Sequence, residues 1–232
     1  SLGINVPTGK DSLSMKQKYK NEEVLSPGTV IISAAGHCNE ITNVVEPVLQ
    51  KDAGSIYYIN ISQDSYKLGG SSFAQILNEI GSEAPTVKSA AYVKTVFNTL
   101  QKLIKNGTIA AGHDVASGGL ITTLLELCFA DVDLGANLDL SNLGEQDTAK
   151  VLFAENCGVV VQATVDATLE QTLTELNIQF SKIGSVTKTA KLQLKNQDDI
   201  YISAKSGQGV DLLIKRIAKS VGYQPSEGRF IA

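Results

Sequence analysis

The sequence predicts an α/β fold of the layered α+β kind, a mixed β-sheet covered by helices, on three observations. Short apolar runs rich in β-branched residues, such as 55–62 and 158–163, read as buried strands. Amphipathic stretches of helical period lie among them, the longest at 90–106. Some strand-like runs follow one another with no helix between, which a purely parallel sheet does not allow. The 232 residues suffice for one large domain or two small ones, with a core that needs no disulfide or structural metal.

The elements follow in order. Residues 1–27 carry Gly and Pro marks among polar residues and read as a loop remnant of a preceding domain. The run TVIISAA at 29–35 predicts a buried strand, and SIYYINIS at 55–62 a second. Gly69-Gly70-Ser71-Ser72 turns into a helix whose Phe73, Ile76, Leu77 and Ile80 share one face, with Gly81 as its stop. The helix at 90–106 turns Val93, Val96, Phe97, Leu100, Leu103 and Ile104 inward and ends at Asn106-Gly107. Residues 108–114 form a short strand entering a glycine turn, and 120–130 a helix apolar nearly all round and therefore buried.

Beyond it, NLDL (137–140), VLFAE (151–155) and GVVVQA (158–163) read as strands. A helix at 166–177 starts on Asp166 as N-cap and buries Leu169, Leu173 and Leu176. FSKIGSV (180–186) and KLQLKN (191–196) alternate polar and apolar and are placed near a sheet edge. Three domain segments result, at 1–27, 28–198 and a tail at 199–232.

Composition bounds the function. The net charge is −4 and no dense Lys/Arg cluster occurs, which argues against nucleic acid as partner. No apolar stretch approaches the ~20 residues that span a bilayer. Cys38, Cys128 and Cys157 are odd in number and widely spaced, so no disulfide framework is expected and a reducing cytoplasm is. Cys128 and Cys157 read as buried small hydrophobes. His37 beside Cys38 has no second Cys/His pair with zinc spacing.

One constellation stands out for chemistry: Gly112-His113-Asp114-Val115-Ala116-Ser117-Gly118-Gly119-Leu120. A strand ends, the chain turns on small residues, and a helix begins. Helix N-termini present free N–H groups to phosphate, and Asp114 at the strand end could hold Mg²⁺. The competing reading is that Asp114 or Ser117 merely caps the helix. Gly69-Gly70-Ser71-Ser72 has the same pair of readings, a phosphate seat or a simple cap by Ser71 or Ser72. Gly9-Lys10-Asp11-Ser12 could serve a polyphosphate and its metal, or be a solvated loop. No GxxxxGK[ST] motif occurs, which excludes a P-loop.

Together and in this order, PTGKDSLSM (7–15), LGGSSFAQILNEIG (68–81), GHDVASGGLITTLLELCFA (112–130) and LFAENCGVVVQ (152–162) resemble the large single-chain phosphoribosylformylglycinamidine synthases. The resemblance covers about 2–197. It implies a fold similar to the C-terminal domain of aminoimidazole ribonucleotide synthetase. It also implies an ATP-dependent ligase that converts formylglycinamide ribonucleotide to its amidine with glutamine-derived ammonia. The matching part of the family lies in its C-terminal synthetase-like half, where a nucleotide with Mg²⁺ is held. By motif, Asp114 is then the Mg²⁺ ligand and Ala116 a nucleotide contact, with Lys10 and Ser12 as further nucleotide contacts. The family often writes HD-x-S-D-G-G where this chain has HD-V-A-S-G-G, so a side-chain hydrogen bond at Ala116 is lost. With one carboxylate remaining, ATP or ADP with Mg²⁺ is expected to bind weakly or not at all, and the piece to be inactive alone.

The tail departs from that family. ISAKSGQGVDLL (202–213) resembles the end of a GTPase G domain, and SEGRFIA (226–232) the segment that follows it in the tRNA-modifying GTPase acting on wobble uridine. The resemblance implies a chimera of two segments, with Ser203-Ala204-Lys205 as the guanine loop and no phosphate loop to accompany it. The helix at 210–221 carries a stripe of Val210, Leu213, Ile214, Ile217 and Val221 that needs burial, against a sheet edge or face. A homodimer through an exposed edge or the tail is a further expectation.

Overall fold

A computed structural model describes residues 3–9, 15–25, 30–38, 40–131, 133–195, 199–202 and 206–220. The chain divides after Thr42 into two compact units. In the first, β1 (Lys16–Tyr19) and β2 (Glu22–Leu25) form an antiparallel hairpin. Lys16 and Lys18 reach Glu23 at 3.1 and 3.6 Å, exposed pairs that contribute little to stability.

The second unit is built on a seven-stranded mixed sheet of order β4-β6-β3-β7-β5-β8-β9. Its strands are β3 (Ile56–Asn60), β4 (Ile109–Asp114), β5 (Gly135–Asp139), β6 (Gly158–Ala163), β7 (Phe180–Thr187), β8 (Leu192–Lys195) and β9 (Asp199–Ile202). All neighbours are antiparallel except β5 and β8, which run parallel. The helices are α1 (Ser72–Ile76), α2 (Ala90–Lys105), α3 (Gly119–Glu126), α4 (Thr148–Phe153), α5 (Asp166–Glu175) and α6 (Val210–Ser220).

Two cores lie on opposite faces of the sheet. Leu120, Ile121 and Leu124 of α3, Val151 and Leu152 of α4 and Leu213 of α6 pack on Tyr58, Leu138, Val160, Ile183, Leu192 and Ile202. On the other face, Val96, Leu100 and Leu103 of α2 and Leu169 and Leu173 of α5 pack on Tyr57, Ile59, Val161 and Ala163. Strands buried on both faces need continuous apolar runs, which is why Ile56 to Ile59 and Gly158 to Ala163 lack clean alternation. Where β5, β7 and β8 run past the cover of α2 and α5, the same face carries Asn137, Asp139, Lys182, Gln193 and Lys195 around a depression of about 340 Å³.

Local signals explain the helix limits. Ser89 caps α2 by accepting from the Tyr92 amide at 3.2 Å, and Lys102 and Lys105 sit in its last turn, where cations favour the dipole. Asp147 caps α4 by accepting from the Ala149 amide at 2.9 Å. That cap corrects the strand expected at 151–155: it starts a helix whose Ala149, Val151 and Leu152 are buried.

Other expectations also change. The strand expected at 29–35 is absent: residues 30–38 have no regular structure, and Ile31 is 89% exposed. A β-branched run favours extended backbone but is no strand without a hydrogen-bonded neighbour, and neither sheet includes this one. Helix α1 is one short turn and buries Ala74, leaving Ile76 84% exposed and Ile80 exposed as well. Phe97 of α2 is exposed too, and so are Phe129 and Leu176, which lie past the ends of α3 and α5.

β7 is central, not an edge, because its polar residues lie on the partly uncovered face while Ile183 enters the core. β8 is one strand in from the edge, since β9 adds Leu192↔Ile202 to Lys195↔Asp199 outside it. The tail thus completes the sheet, and α6 packs on α4 and β9. Of its stripe, Leu213 is 6% exposed but Ile214 is 56% exposed. Val221 lies outside the described residues and Ile217 outside the described side chains. Asp166 does not cap α5. Val165 holds the cap position, and the Asp166 carboxylate instead accepts from the Ser55 amide at 2.8 Å and from Lys182 at 2.7 Å. Among the described residues, no helix is long and apolar enough to cross a membrane.

Candidate functional site

β4 carries His113 and Asp114 to the edge of the sheet, and the chain turns through Val115 to Gly118 into α3. Gly118 (φ 89°) and Gly119 (φ 75°) occupy the left-handed region that favours glycine. A Cβ at Gly119 would stand 2.7 Å from the Leu152 carbonyl and the Phe153 backbone, so the turn presses directly on α4.

Asp114 is anchored by its main chain, and its carboxylate is exposed. Its carbonyl accepts from Thr123 Oγ1 at 2.9 Å and lies 2.8 Å from His113 Nδ1. Its side chain is 72% exposed, with Oδ1 3.3 Å from His113 Nδ1. The other side of that imidazole, Nε2, stands 3.0 Å from Glu126 Oε2. Ala116 and Ser117 are exposed on the turn. Among the described residues no group of three His, Cys, Asp or Glu side chains converges as a metal cage. Asp114 is therefore a single outward carboxylate. Lys10 and Ser12 lie outside the described residues.

The helix that follows has no side-chain cap, so neither Asp114 nor Ser117 serves as one. The Gly118 amide donates instead to Glu155 Oε1 at 2.8 Å. The same oxygen accepts from the Ser72 amide, also at 2.8 Å. One carboxylate oxygen thus joins the two small-residue turns for which the sequence leaves a phosphate seat or a simple cap open. At the other turn, Ser71 is a true cap, accepting from the Ala74 amide at 3.2 Å. Glu155 escaped the sequence reading because 151–155 looked like a strand. The signal available was an acid directly after an apolar helix face and before a β-branched strand.

Asn156, 2% exposed, continues the framework. Its Nδ2 donates to Ser62 Oγ at 3.3 Å and to the Ser65 carbonyl at 3.0 Å. Asp64 in that loop is buried and meets Lys67 and Lys88, each at 3.1 Å, and the Thr86 amide at 3.0 Å. Burial alone would raise the Asp64 pKa. The hydrogen bonds from Lys88 and Lys67 and from the Thr86 and Ser65 amides outweigh it and hold the carboxyl well below the usual range. Phe73 of α1 stacks on Phe153 of α4 with centroids 4.7 Å apart.

Neither Cys128 nor Cys157 is activated as a nucleophile. Burial pushes the Cys128 thiol up to about 11. Cys157 is exposed, contrary to the sequence expectation, because it lies in the turn before β6. Desolvation and the nearby Asp114 carboxylate push its thiol up as well.

A mixed sheet with helices on both faces, and an acidic strand end running into a glycine turn, define a layered α/β domain. Residues 60–196 match the family described as AIR synthase related protein, C-terminal domain, and the chain belongs to that family. It is similar to a probable phosphoribosylformylglycinamidine synthase of Arabidopsis thaliana, 36% identical over 210 residues, 88% of this chain and 15% of the relative. A probable phosphoribosylformylglycinamidine synthase of Caenorhabditis elegans is 33% identical over 201 residues, 80% of this chain and 15% of the relative. The chain thus spans about 15% of the length of these curated relatives. Its fold is similar to that of Thermotoga maritima PurL complexed with ATP, with a TM-score of 0.53 at 13% identity over 71% of this chain and 27% of that one. Phosphoribosylformylglycinamidine synthase II of the same organism gives 0.55 at 11% identity, over 72% and 28%.

Proposed function

We propose that this chain is a piece of the synthetase region of a phosphoribosylformylglycinamidine synthase. That enzyme is a carbon–nitrogen ligase of purine biosynthesis that uses ATP and glutamine-derived ammonia to convert formylglycinamide ribonucleotide to its amidine. The observation that carries the reading is the turn after β4. It combines an outward Asp114 carboxylate, two left-handed glycines and a tight seat on α4, inside the segment that matches the family. Magnesium is usually held by one or two carboxylates together with nucleotide phosphates and water. Asp114 suits one such carboxylate and Ala116 a neighbouring nucleotide contact. With a single acidic ligand the chain holds Mg²⁺–ADP weakly and turns nothing over.

Calorimetry with ADP plus Mg²⁺ tests the reading. The expected result is weak, magnesium-dependent binding that Asp114→Ala abolishes. Binding that is unaffected by Asp114→Ala would overturn the assignment. A coupled ADP-release assay with formylglycinamide ribonucleotide and ammonia is expected to show no turnover by the chain alone.

The tail favours a structural role for 199–232. The support for it is that β9 extends the sheet and Leu213 of α6 enters its core. Ser203, Ala204 and Lys205, the expected guanine loop, lie outside the described residues. Titration with GDP is expected to show no binding.

A further inference from the structure

The Gly118 amide, the first donor of α3, is already taken by Glu155 and is not open to phosphate. The second amide on the same oxygen, at Ser72, opens α1 from the other glycine turn. A carboxylate oxygen has lone pairs for both donors, and its charge makes both bonds stronger than neutral ones. The surrounding contacts fix where that oxygen lies. Glu155 follows α4, whose Leu152 and Phe153 backbone sits against Gly119. Asn156, the next residue, is buried and tied to Ser62 and Ser65. Phe153 stacks on Phe73, one residue beyond Ser72.

We propose that Glu155 is a positioning residue. It is an internal anion that clamps the 69–72 turn to the Asp114 turn and sets the distance between the two glycine loops of the candidate nucleotide face. The role in nucleotide binding rests on the reading given above. The clamp itself does not. One consequence is specific: nucleotide phosphate approaches this turn through Asp114 and its exposed neighbours, not through the Gly118 N–H. A further consequence is that Glu155 acts on both turns at once, so its loss frees two amides distant in sequence.

Amide hydrogen exchange on the full chain separates a clamp from a general packing role. In the parent protein the Gly118 and Ser72 amides are expected to exchange slowly. In Glu155→Ala both are expected to speed up more than tenfold, while the Ala74 amide, held by Ser71, is unchanged. Acetate at high concentration is expected to restore protection at both positions together, because it replaces the missing carboxylate. Glu155→Gln, which keeps the oxygen but not the charge, is expected to lie between. If Gly118 and Ser72 change less than threefold, change separately, or ignore acetate, the clamp is wrong.

Titration with Mg²⁺–ADP then addresses the nucleotide role. Where the parent binds, Glu155→Gln is expected to weaken binding at least tenfold, and unchanged affinity overturns the positioning role. Where the parent does not bind, the nucleotide reading falls and exchange alone still decides the clamp.

Discussion

Substituting alanine at Gly119 tests whether the Asp114 turn is held by contact with α4. The residue has φ 75°, and a side chain in the left-handed region costs about 1–2 kcal/mol. The new Cβ would stand 2.7 Å from the Leu152 carbonyl and the Phe153 backbone, where ordinary contact begins at 3.4 Å. No side chain can rotate away to relieve this, so the overpacking adds about 1–3 kcal/mol. Gly119→Ala is thus expected to cost about 2–5 kcal/mol. Gly118→Ala supplies the contrast. Its φ of 89° carries the same conformational cost, but the obstacle 2.3 Å away is Thr122 Oγ1, the end of a rotatable side chain. Its expected cost is about 1–2 kcal/mol, and adding Thr122→Ala should remove the steric part. Urea unfolding followed by far-ultraviolet circular dichroism measures all three. A Gly119→Ala protein within about 0.5 kcal/mol of the parent, or one more stable than Gly118→Ala, would refute the reasoning.

Three further outcomes follow from the same geometry. Asp114→Asn removes a carboxylate that is 72% exposed, so stability should move less than about 0.5 kcal/mol while magnesium-dependent nucleotide binding disappears. Asp166 is 29% exposed; burial would raise its pKa, but the bonds from Lys182 and Ser55 prevail and bring it down to about 2 from 3.8. A depressed carboxylate stabilises the fold above its unfolded pKa and loses that contribution as the pH falls through the folded value. The window is therefore about pH 4 down to pH 2. Since Lys182 is half-exposed, the effect is discounted to about 1–2 kcal/mol, and Asp166→Asn should flatten urea midpoints between about pH 4 and about pH 2. In the tail, Leu213→Asp buries a charge and should cost about 2–4 kcal/mol, whereas Ile214→Asp, on the exposed side of α6, should be nearly neutral by thermal unfolding.

The legible parts of the sequence were those where one signal acted alone. Residues 158–163 carry three consecutive valines in a segment covered on both faces, and the strand falls at Gly158–Ala163. The α2 stripe of Val96, Leu100 and Leu103 repeats at helical spacing over about two turns, and the helix ends at Lys105 before Asn106-Gly107. Misreadings arose where two signals competed. At 151–155 the apolar run suggested a strand, but the Asp147 cap began a helix first. At 29–35 side-chain preference was clear while the pairing partner, a non-local matter, was not encoded in the run itself. The position of β7 depended on β5 returning beside it, which alternation along β7 does not reveal. Asp166 illustrates the same limit at one residue: the N-cap pattern is local, whereas Ser55 and Lys182 reach it from elsewhere in the fold.

The candidate site follows this division. Asp114 and the paired glycines were readable because strand end, turn and helix start are contiguous. Glu155 was not, because its two donors belong to turns separated along the chain by α2 and β4 and meet only when α4 is packed against Gly119. The arrangement has a chemical consequence that a motif alone misstates. A glycine turn before a helix suggests an open anion seat, yet here the protein supplies its own anion. What remains outward is the Asp114 carboxylate, a group that attracts a cation and repels bare phosphate. Nucleotide can approach this turn only with a cation between, so binding that proceeds equally well with magnesium removed by a chelator would contradict the arrangement at its centre.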